Sequence, residues 1–281
     1  MARVAFVTDS ASDLDQAVAS SDGIRIVPLS VTFGDESFRA GVDLSTEEFW
    51  KRMTAPNAPF PKTAASSPGE FKRVYDEAFA DGAEAIVSIH VSGLLSGAFK
   101  SAEIARGMLA DREIHLVDSQ GASMAEGLLA YMGLDMAKIG VSAAEIARVL
   151  SDRASDLRMY VSLETLEYLK KGGRISGTRA AIGNLLSVKP IIKVAAGVVD
   201  TAETPRTRAK SRERCIELIC ARPIERLAIL HTMAPDVDEF RDEVVRRAGL
   251  DASTVMVSVV GPSVGPHLGP GCVGAAVLYK R

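Results

Sequence analysis

Small polar side chains follow several short apolar runs of this sequence, at the points where predicted strands end. Segments 8–10, 92–97 and 118–119 each contribute serine, threonine or aspartate, and the segment around Thr63 adds a fourth polar stretch. Ligands of open parallel sheets bind beyond the carboxyl ends of the strands. A single residue of this kind is more often the cap of the following helix, whereas four segments in agreement predict a binding crevice.

Four residues of these segments, Thr63, Ser96, Gly97 and Ser119, are the candidates for contact with a ligand. Hydroxyl groups beside free backbone N–H groups at the start of a helix suit an anion such as a carboxylate. Ser96 and Gly97 stand where such a helix is predicted to begin. The sequence therefore favours recognition of a small anionic group at this crevice.

Ser96 also raises the alternative of a nucleophilic serine, as in a hydrolase or an acyltransferase, with His267 as its base. The strained elbow that exposes such a serine needs glycine two positions before it and two positions after it. Leucine and alanine occupy those positions here, and an orienting acid can only be proposed, at Asp9 or Asp118. We therefore expect a binding protein that is not an enzyme.

His267 is the histidine that the sequence singles out. It lies in segment 265–271, where two prolines and three glycines allow the backbone and an imidazole to approach a ligand closely. An ordinary surface turn explains the same composition equally well. None of the four histidines stands at ligand spacing from an acidic residue, so neither a metal nor another cofactor is predicted.

Three arginines belong to basic segments without a nucleotide-binding frame. Arg174 ends segment 170–174, which has neither a Walker nor a GxGxxG pattern and which is also explained as the cationic end of a helix. Arg206 and Arg208 open a dense basic stretch that runs to position 214. Such a stretch is either a solvated helix face or a surface for another protein.

The elements that must position these residues alternate along the first half of the chain. Ser67 and Ser142 begin capping boxes, each with glutamate three positions later, which predict a helix after each serine. Strands that alternate with helices of this length predict a mostly parallel sheet covered on both faces. The predicted strands occupy residues 4–7, 24–31, 85–91 and 114–117.

The pattern changes after about residue 157, where hairpin and helix patterns mix. This change predicts two domains, a doubly wound α/β domain at residues 1–157 and a second α/β domain at residues 158–281. The elements predicted in the second domain are helices at 161–171, 207–221 and 237–248, a hairpin of strands at 190–194 and 198–202, and further strands at 227–230, 255–260 and 274–279.

The bulk composition is that of an ordinary globular protein. Hydrophobic residues make up 47% of the 281 residues, and no apolar run reaches the roughly 20 residues that a membrane-spanning helix needs. The net charge of −3 provides no broad basic field for nucleic acid. The lack of a signal-peptide core and the unpaired spacing of the three cysteines predict a cytoplasmic protein with free thiols.

Eight segments of the sequence, in order, resemble motifs of the DegV family of bacterial lipid-binding proteins. The first reads Val-Thr-Asp-Ser and the last reads His-Leu-Gly-Pro-Gly, so the resemblance spans the chain. The segments are residues 7–14, 61–68, 95–102, 117–119, 171–175, 189–191, 205–208 and 267–271.

This resemblance implies a doubly wound N-terminal domain, a C-terminal domain with a mixed sheet, and one bound long-chain fatty acid. Its carboxylate is then held near the domain interface by Thr63 and Ser96, with Arg174 and His267 as neighbouring members of the polar network. Its tail is then buried in the C-terminal domain, where apolar residues can form the wall of a channel, although most of them must also be plain core. These residues are Leu163, Leu166, Leu169, Ile182, Leu185, Leu186, Ile191, Ile192 and Val194.

The resemblance also implies a protein partner. Members of the fatty acid kinase system present the carboxylate to a separate kinase subunit, and Arg206 and Arg208 resemble the basic segment offered to that subunit. The family usually has Ser-Gln after the threonine and Thr-Tyr after Ser-Gly, whereas Ala64-Ala65 and Ala98-Phe99 stand here. A lipid-sensing module without a kinase partner is the alternative.

Overall fold

The computed structural model describes residues 3–175 and 188–281. Strands and helices alternate in its first half, and a hairpin interrupts this alternation in its second half. In chain order the elements are β1 (Val4–Asp9), α1 (Gln16–Ser21), β2 (Ile24–Val27), β3 (Ser30–Phe33), β4 (Glu36–Arg39), α2 (Thr46–Met53), β5 (Lys62–Ala64), α3 (Pro68–Ala80), β6 (Ala85–His90), α4 (Ala98–Gly107), β7 (Glu113–Asp118), α5 (Met124–Lys138), α6 (Ala143–Arg153), β8 (Leu157–Ser162), α7 (Glu167–Gly172), β9 (Ile191–Ala195), β10 (Val198–Glu203), α8 (Arg208–Ile219), β11 (Ile224–His231), α9 (Val237–Ala248), β12 (Met256–Val259), α10 (Gly265–Leu268) and β13 (Val273–Tyr279).

A parallel sheet of four strands, in the order β2-β1-β6-β7, forms the centre of the first half. Helices α3 and α4 pack together against this sheet, and so do α5 and α6, so that the two helix pairs cover its two faces. Both predicted caps are present, because Ser67 accepts the N–H of Glu70 and Ser142 accepts that of Glu145. The doubly wound α/β organisation is confirmed, and the connections from β1 and β6 diverge between these two strands.

A mixed sheet of six strands, in the order β10-β9-β8-β13-β11-β12, forms the second half. Its β11–β12 pair is parallel, whereas β13 runs antiparallel to both of its neighbours. The predicted hairpin is confirmed as β9 and β10, and the predicted last strand is β13, which lies inside the sheet. Helix α5 packs against β1 and β6 and also against β8, β11 and β13, so it joins the two sheets.

A small antiparallel sheet, in the order β4-β3-β5, was not predicted from the sequence. The single strand predicted at 24–31 is wrong, because Pro28 separates β2 of the parallel sheet from β3 of this small sheet. Proline has no N–H group and interrupts a ladder of strand hydrogen bonds. Thr63, which the sequence placed in a loop, lies on β5 opposite Val31 of β3.

The helix predicted at 161–171 is wrong in its first part. Residues Leu157–Ser162 form the buried strand β8, and helix α7 covers only Glu167–Gly172. The residues of β8 alternate between buried and half-buried side chains, as in a strand, but only the last two of them, Val161 and Ser162, fall within the predicted helix. The predicted stop is confirmed, since Gly173 follows the helix with φ of 69°.

Buried side chains from both halves form one continuous core. It joins Phe6 and Leu128 of the first half to Met159, Val194 and Leu278 of the second. The domain boundary after residue 157 stays a prediction. Within the described ranges, no helix is both long and apolar enough to cross a membrane.

Candidate ligand-binding site

A narrow cavity lies between the two large sheets, beyond the carboxyl ends of β1, β6 and β7. The cavity has a volume of about 90 Å³. So small a volume describes a slender space, which suits a chain better than a bulky ring. Its apolar walls include Leu29, Val91, Leu95, Met159, Leu169, Ile192, Val194, Val199, Val264 and Leu268.

Thr63 and His267 lie together at the polar part of this cavity. Strand pairing between β5 and β3 fixes Thr63, and the short helix α10 carries His267. The Oγ1 atom of Thr63 is 3.1 Å from Nε2 of His267. The structure therefore joins two predicted site residues that are far apart in the sequence.

The imidazole of His267 is neutral at neutral pH. Burial and, to a smaller extent, the positive charge of Arg174 lower the pKa of His267 to about 4. Its Nδ1 atom is buried and has no hydrogen-bond partner in the described part of the chain. A neutral ring can carry its proton on either nitrogen, so it can either donate to the Thr63 hydroxyl or accept from it.

Gly172 makes room for this imidazole. A Cβ atom at position 172 would lie 2.1 Å from Nδ1 of His267, which is far inside van der Waals contact. The carbonyl of Gly172 also accepts a hydrogen bond of 2.6 Å from Nη1 of Arg174. The Gly-Gly-Arg segment thus holds the ring and the guanidinium beside one another.

Ser96 lies where the cavity meets an outer depression of the surface. Its Oγ accepts the N–H of Ala98 at 3.2 Å, at the start of α4. Ser96, Gly97 and Arg174 line both the cavity and the depression. The polar end of the cavity is therefore within reach of the surface, beside the half-buried Ser96 and the exposed Gly97.

Arg174 is the one arginine or lysine in the described lining of this cavity. Besides its bond to Gly172, it donates from Nε to the carbonyl of Leu95 at 3.4 Å. These two backbone contacts hold the guanidinium between α7 and the loop after β6. Thr63, Ser96, Gly97, Arg174 and His267 are thus brought together, and Ser263 joins them as a polar lining residue that the sequence did not predict.

Ser119 is the predicted site residue that the structure places elsewhere. It is fully buried, and its Oγ accepts the N–H of Gly121 at 3.2 Å within its own turn. It does not belong to the described lining of the cavity. A serine at the end of a strand is as well suited to close a turn as to face a ligand, and the sequence does not distinguish the two.

The groups of the hydrolase alternative do not assemble into a catalytic triad. His267 contacts Thr63 rather than Ser96. Of the two acids proposed from the sequence, Asp118 accepts the N–H groups of Gly93 and Gln120, and Asp9 accepts from His90. Neither acid orients His267, so this arrangement lacks the base–acid contact that activates a serine.

The basic stretch at 206–214 divides into paired and unpaired arginines. Arg206 is exposed and forms no ion pair with any described residue. Arg208 pairs with Asp236 at 3.0 Å and with Glu164 at 3.4 Å, and the buried Arg212 pairs with Asp236 at 3.1 Å. The interpretation of a solvated face that the fold does not need is therefore wrong for Arg208 and Arg212.

A buried polar network below the cavity was missed by the sequence analysis. The carboxylate of Asp9 accepts from Nδ1 of His90 at 3.1 Å, and Nε2 of His90 is 2.7 Å from the hydroxyl of Ser88. Glu126 accepts from Thr8 and from the N–H of Asp9. Its members come from β1, β6 and α5, so no local spacing indicates them.

This network is held together by its own hydrogen bonds. Atoms of Asp9, His90 and Glu126 lie within 4.8 Å of one another, as in a metal site. However, both oxygens of Asp9 accept N–H groups, and both nitrogens of His90 are engaged. Burial, followed by the charge of Asp9, raises the pKa of Glu126 well above its usual value. A protonated Glu126 suits a structural network better than a cation site.

Sequence comparison relates this chain to a known protein family. A family model described as "Uncharacterised protein, DegV family" matches residues 3–280. A DegV domain-containing protein of Staphylococcus aureus (strain N315) is 32% identical over 286 residues, which cover 100% of each chain. The protein DegV of Bacillus subtilis (strain 168) is 30% identical over 284 residues, which cover 99% of each chain.

Solved structures agree with this assignment. The structure of a DegV family protein from Thermus thermophilus, reported for its fatty acid binding, has a TM-score of 0.90 and 33% identity over 99% of this chain and 100% of that one. DegV of Bacillus subtilis, described as a fatty acid binding protein, has a TM-score of 0.87 and 29% identity over 100% of both chains. A stearic acid-binding protein from Eubacterium ventriosum has a TM-score of 0.88 and 27% identity over 100% of this chain and 99% of that one.

Proposed function

This chain belongs to the DegV family, and from that premise we propose that it binds one long-chain fatty acid and acts as a carrier rather than a catalyst. The observation that carries the proposal is a slender apolar cavity whose polar part is formed by Thr63, Ser96, Arg174 and His267. The fatty acid binding described for the related structures from Thermus thermophilus, Bacillus subtilis and Eubacterium ventriosum supports it.

The acyl tail supplies most of the binding free energy in this proposal. Burial of about 14 methylene groups at about 0.8 kcal/mol each amounts to roughly 11 kcal/mol before the cost of association. The side chains of Met159, Leu169, Ile192, Val194 and Val199 offer the apolar wall that this burial needs. Tight binding therefore needs no reaction chemistry.

The carboxylate gives the orientation. The hydroxyls of Thr63 and Ser96 donate hydrogen bonds to it, and the guanidinium of Arg174 offsets its negative charge. Because His267 is neutral, it adds no second positive charge and instead orients the Thr63 hydroxyl. Since Ser96 and Arg174 also line the outer depression, this placement keeps the carboxylate accessible from the surface.

The substitution Gly172→Ala tests whether this polar end recognises the carboxylate. The new methyl group would displace the imidazole of His267, because its Cβ would lie 2.1 Å from Nδ1. We expect the affinity of the delipidated protein for palmitic acid to fall by roughly tenfold, or about 1.4 kcal/mol, with a much smaller loss for cetyl alcohol. Titration calorimetry of both ligands measures this difference.

Gly173→Asn is the matched control for this substitution. Gly173 has φ of 69° and no atom within 4 Å of its would-be Cβ, and asparagine tolerates this left-handed backbone. We expect the control to bind both ligands as the unmodified chain does. If Gly172→Ala lowered the affinity for palmitic acid and for cetyl alcohol equally, the glycine would serve packing alone. The polar end would then not recognise the carboxylate.

We also propose that the carrier presents its fatty acid to an acyl kinase, with Arg206 as the contact that steers docking. The support is the exposed guanidinium of Arg206, which forms no ion pair within residues 3–175 and 188–281 and can meet an acidic surface. Exposed charges of this kind raise association rates more than they stabilise a fold. Arg208 is less suited to steer docking, because Glu164 and Asp236 already neutralise its charge.

Arg206→Ala and Arg208→Ala should therefore behave differently. We expect Arg206→Ala to keep its lipid and its thermal stability but to slow acyl-phosphate formation by a kinase subunit, with a deficit that narrows at high salt. Arg208→Ala should lower the stability by about 1 kcal/mol or less, since the pairs it breaks are partly exposed. Unchanged acyl-phosphate formation by Arg206→Ala at every salt concentration would remove the docking role of Arg206. The absence of acyl-phosphate formation even with the unmodified chain would favour a lipid-sensing module without a kinase partner.

A further inference from the structure

A second and wider cleft lies on the other side of the turn at residues 261–264. Gly261 and Pro262 line this cleft, whereas Ser263 and Val264 line the fatty acid cavity. About 720 Å³ of the cleft is open to the centre of a water molecule. This volume lies in the range of roughly 300–1,000 Å³ that is typical of small-molecule sites.

Exposed apolar side chains surround this cleft. Val18 is 50% exposed, Met233 57%, Val257 45% and Val259 38%, and all four line it. The indole of Trp50 forms part of its wall and donates a hydrogen bond of 2.8 Å to the carbonyl of Val260. Large apolar side chains that gather around a concave surface mark a binding site more often than they occur by chance.

All of the charged groups that line this cleft are acidic. Asp13 lies on its floor, and Asp15 and Glu47 are exposed at its edge. In the described part of the chain, its lining contains no lysine, arginine or histidine, and no ion pair involves these acids. Asp15 caps α1 and Glu47 lies in the first turn of α2, but the helix ends do not explain why both acids face one apolar cleft.

We propose that this cleft binds a small amphipathic cation, that is, a compact apolar body that carries one ammonium group. The apolar body would contact Trp50, Val257 and Val259, and the ammonium group would meet Asp15 and Glu47. The edge of β12 is a less suitable place for an added peptide strand, because Ser258 donates a hydrogen bond of 2.6 Å to the carbonyl of Asp13 across it. A small ligand therefore fits the cleft better than an extended peptide.

Three probes of one shape and different charge test this proposal. Adamantylmethylammonium, adamantylmethanol and adamantanecarboxylate share a cage that is too wide for the slender cavity, and Trp50 is the one tryptophan of the sequence. We expect the fluorescence of Trp50, in the protein as purified, to report saturable binding of the ammonium probe. That probe should bind roughly tenfold more tightly than the alcohol at low salt, and the carboxylate should bind least.

The variants Asp15→Asn and Glu47→Gln test the charges, with Asp35→Asn as the exposed acid outside the cleft. Asparagine keeps the helix cap at position 15. We expect each cleft variant to reduce the preference for the ammonium probe over the alcohol by roughly threefold, whereas Asp35→Asn leaves it unchanged. Equal affinities for the three probes, an unchanged preference in both cleft variants, or no saturable response of Trp50 would overturn the proposal. Native mass spectra taken beside the titration report any fatty acid separately, so the proposed fatty acid binding stands or falls on its own.

Discussion

Replacement of Asp13 by asparagine should stabilise the protein at pH 8 by up to about 4 kcal/mol and should have almost no effect at pH 4. Burial raises the pKa of Asp13 from 3.8 to about 7, against the opposing hydrogen bonds from Ser123 and Gly261. A difference of about 3 pKa units corresponds to about 4 kcal/mol. The magnitude is an upper bound for the effect of this one carboxyl group.

The direction follows from the protonation of the two states. Below pH 3.8, Asp13 is protonated in both the folded and the unfolded chain. It then adds no buried charge, and the free energy of unfolding is not lowered by this carboxyl group. Between pH 3.8 and about 7 the unfolded chain loses this proton while the folded chain keeps it, so the stability falls as the pH rises. Above this window both states are ionised, and the loss is complete. Asparagine stays neutral throughout and avoids the buried charge.

Asparagine also suits the geometry of this position. Asp13 has φ of 53°, in the left-handed region that asparagine tolerates. The amide oxygen can accept the N–H of Gly261, which now lies 2.8 Å from the carboxyl group, and the amide nitrogen can donate to the hydroxyl of Ser123. The substitution therefore changes the charge and keeps both contacts.

Urea unfolding of the unmodified chain and of Asp13→Asn between pH 4 and pH 8 measures this effect. His267 titrates in both proteins, so its contribution cancels in the difference between the two curves. The charge of Asp13 also raises the pKa of Glu126, so the difference contains this smaller coupled contribution as well. Asp35→Asn, at an exposed turn, should follow the unmodified chain at every pH. A stability difference that stays constant across this range would mean that Asp13 is ionised in the folded protein, contrary to our interpretation.

The pair of substitutions Thr63→Val and Ser96→Ala should cause the largest loss of fatty acid affinity. In the proposed binding mode each removes a hydroxyl that donates to a charged carboxylate, and such a loss costs roughly 1–3 kcal/mol. The double variant should lose less than the sum if both hydroxyls hold the same carboxylate, because the effects of residues that share a partner do not add. Binding of cetyl alcohol should change far less.

Matched controls for these substitutions lie on neighbouring elements. Thr32→Val removes a hydroxyl from β3, the strand next to β5, and Ser101→Ala removes one from α4, but neither residue lines the cavity. Both controls should bind palmitic acid normally. If Thr63→Val and Ser96→Ala lowered the affinity for palmitic acid and for cetyl alcohol equally, these residues would shape the cavity without recognising the carboxylate.

Local patterns in the sequence predict the N-terminal architecture well. The caps at Ser67 and Ser142 and the short β-branched runs depend on neighbouring residues. The helices and strands form where these patterns predict them, except that the run at 24–31 is divided between two strands. The β8 strand was not predicted, although its buried residues Leu157, Met159 and Val161 alternate with half-buried ones over this short segment. Its identity is set by its pairing with β13 and β9, which are distant in sequence.

The sequence predicts single residues of the polar part of the site but not the contacts between them. The sequence indicates Thr63 and His267 separately, but their contact depends on the packing of β5 against α10. Ser119 shows the limit of this approach, since its hydroxyl closes a turn and lies outside the described lining. The apolar wall is harder still, because core and lining residues have the same chemistry.

The residues predicted for the apolar wall of the cavity show that the sequence does not separate lining residues from core residues. Neighbouring residues of a strand point to opposite faces, so Ile192 lines the cavity while Ile191 packs in the core on the other side of the sheet. Sequence alone does not reveal which of the two faces the ligand. Leu169 and Val194 line the cavity as predicted, Leu163 and Leu166 are core, and Ile182, Leu185 and Leu186 lie outside the described residues.

Native mass spectrometry of the protein as purified, without added lipid, tests the central claim most directly. The account predicts one adduct of a few hundred daltons per chain, which survives gentle desolvation and is identified as a long-chain fatty acid after denaturing extraction. A mass that matches the bare chain after expression in several hosts, with no fatty acid in the extract, would contradict it.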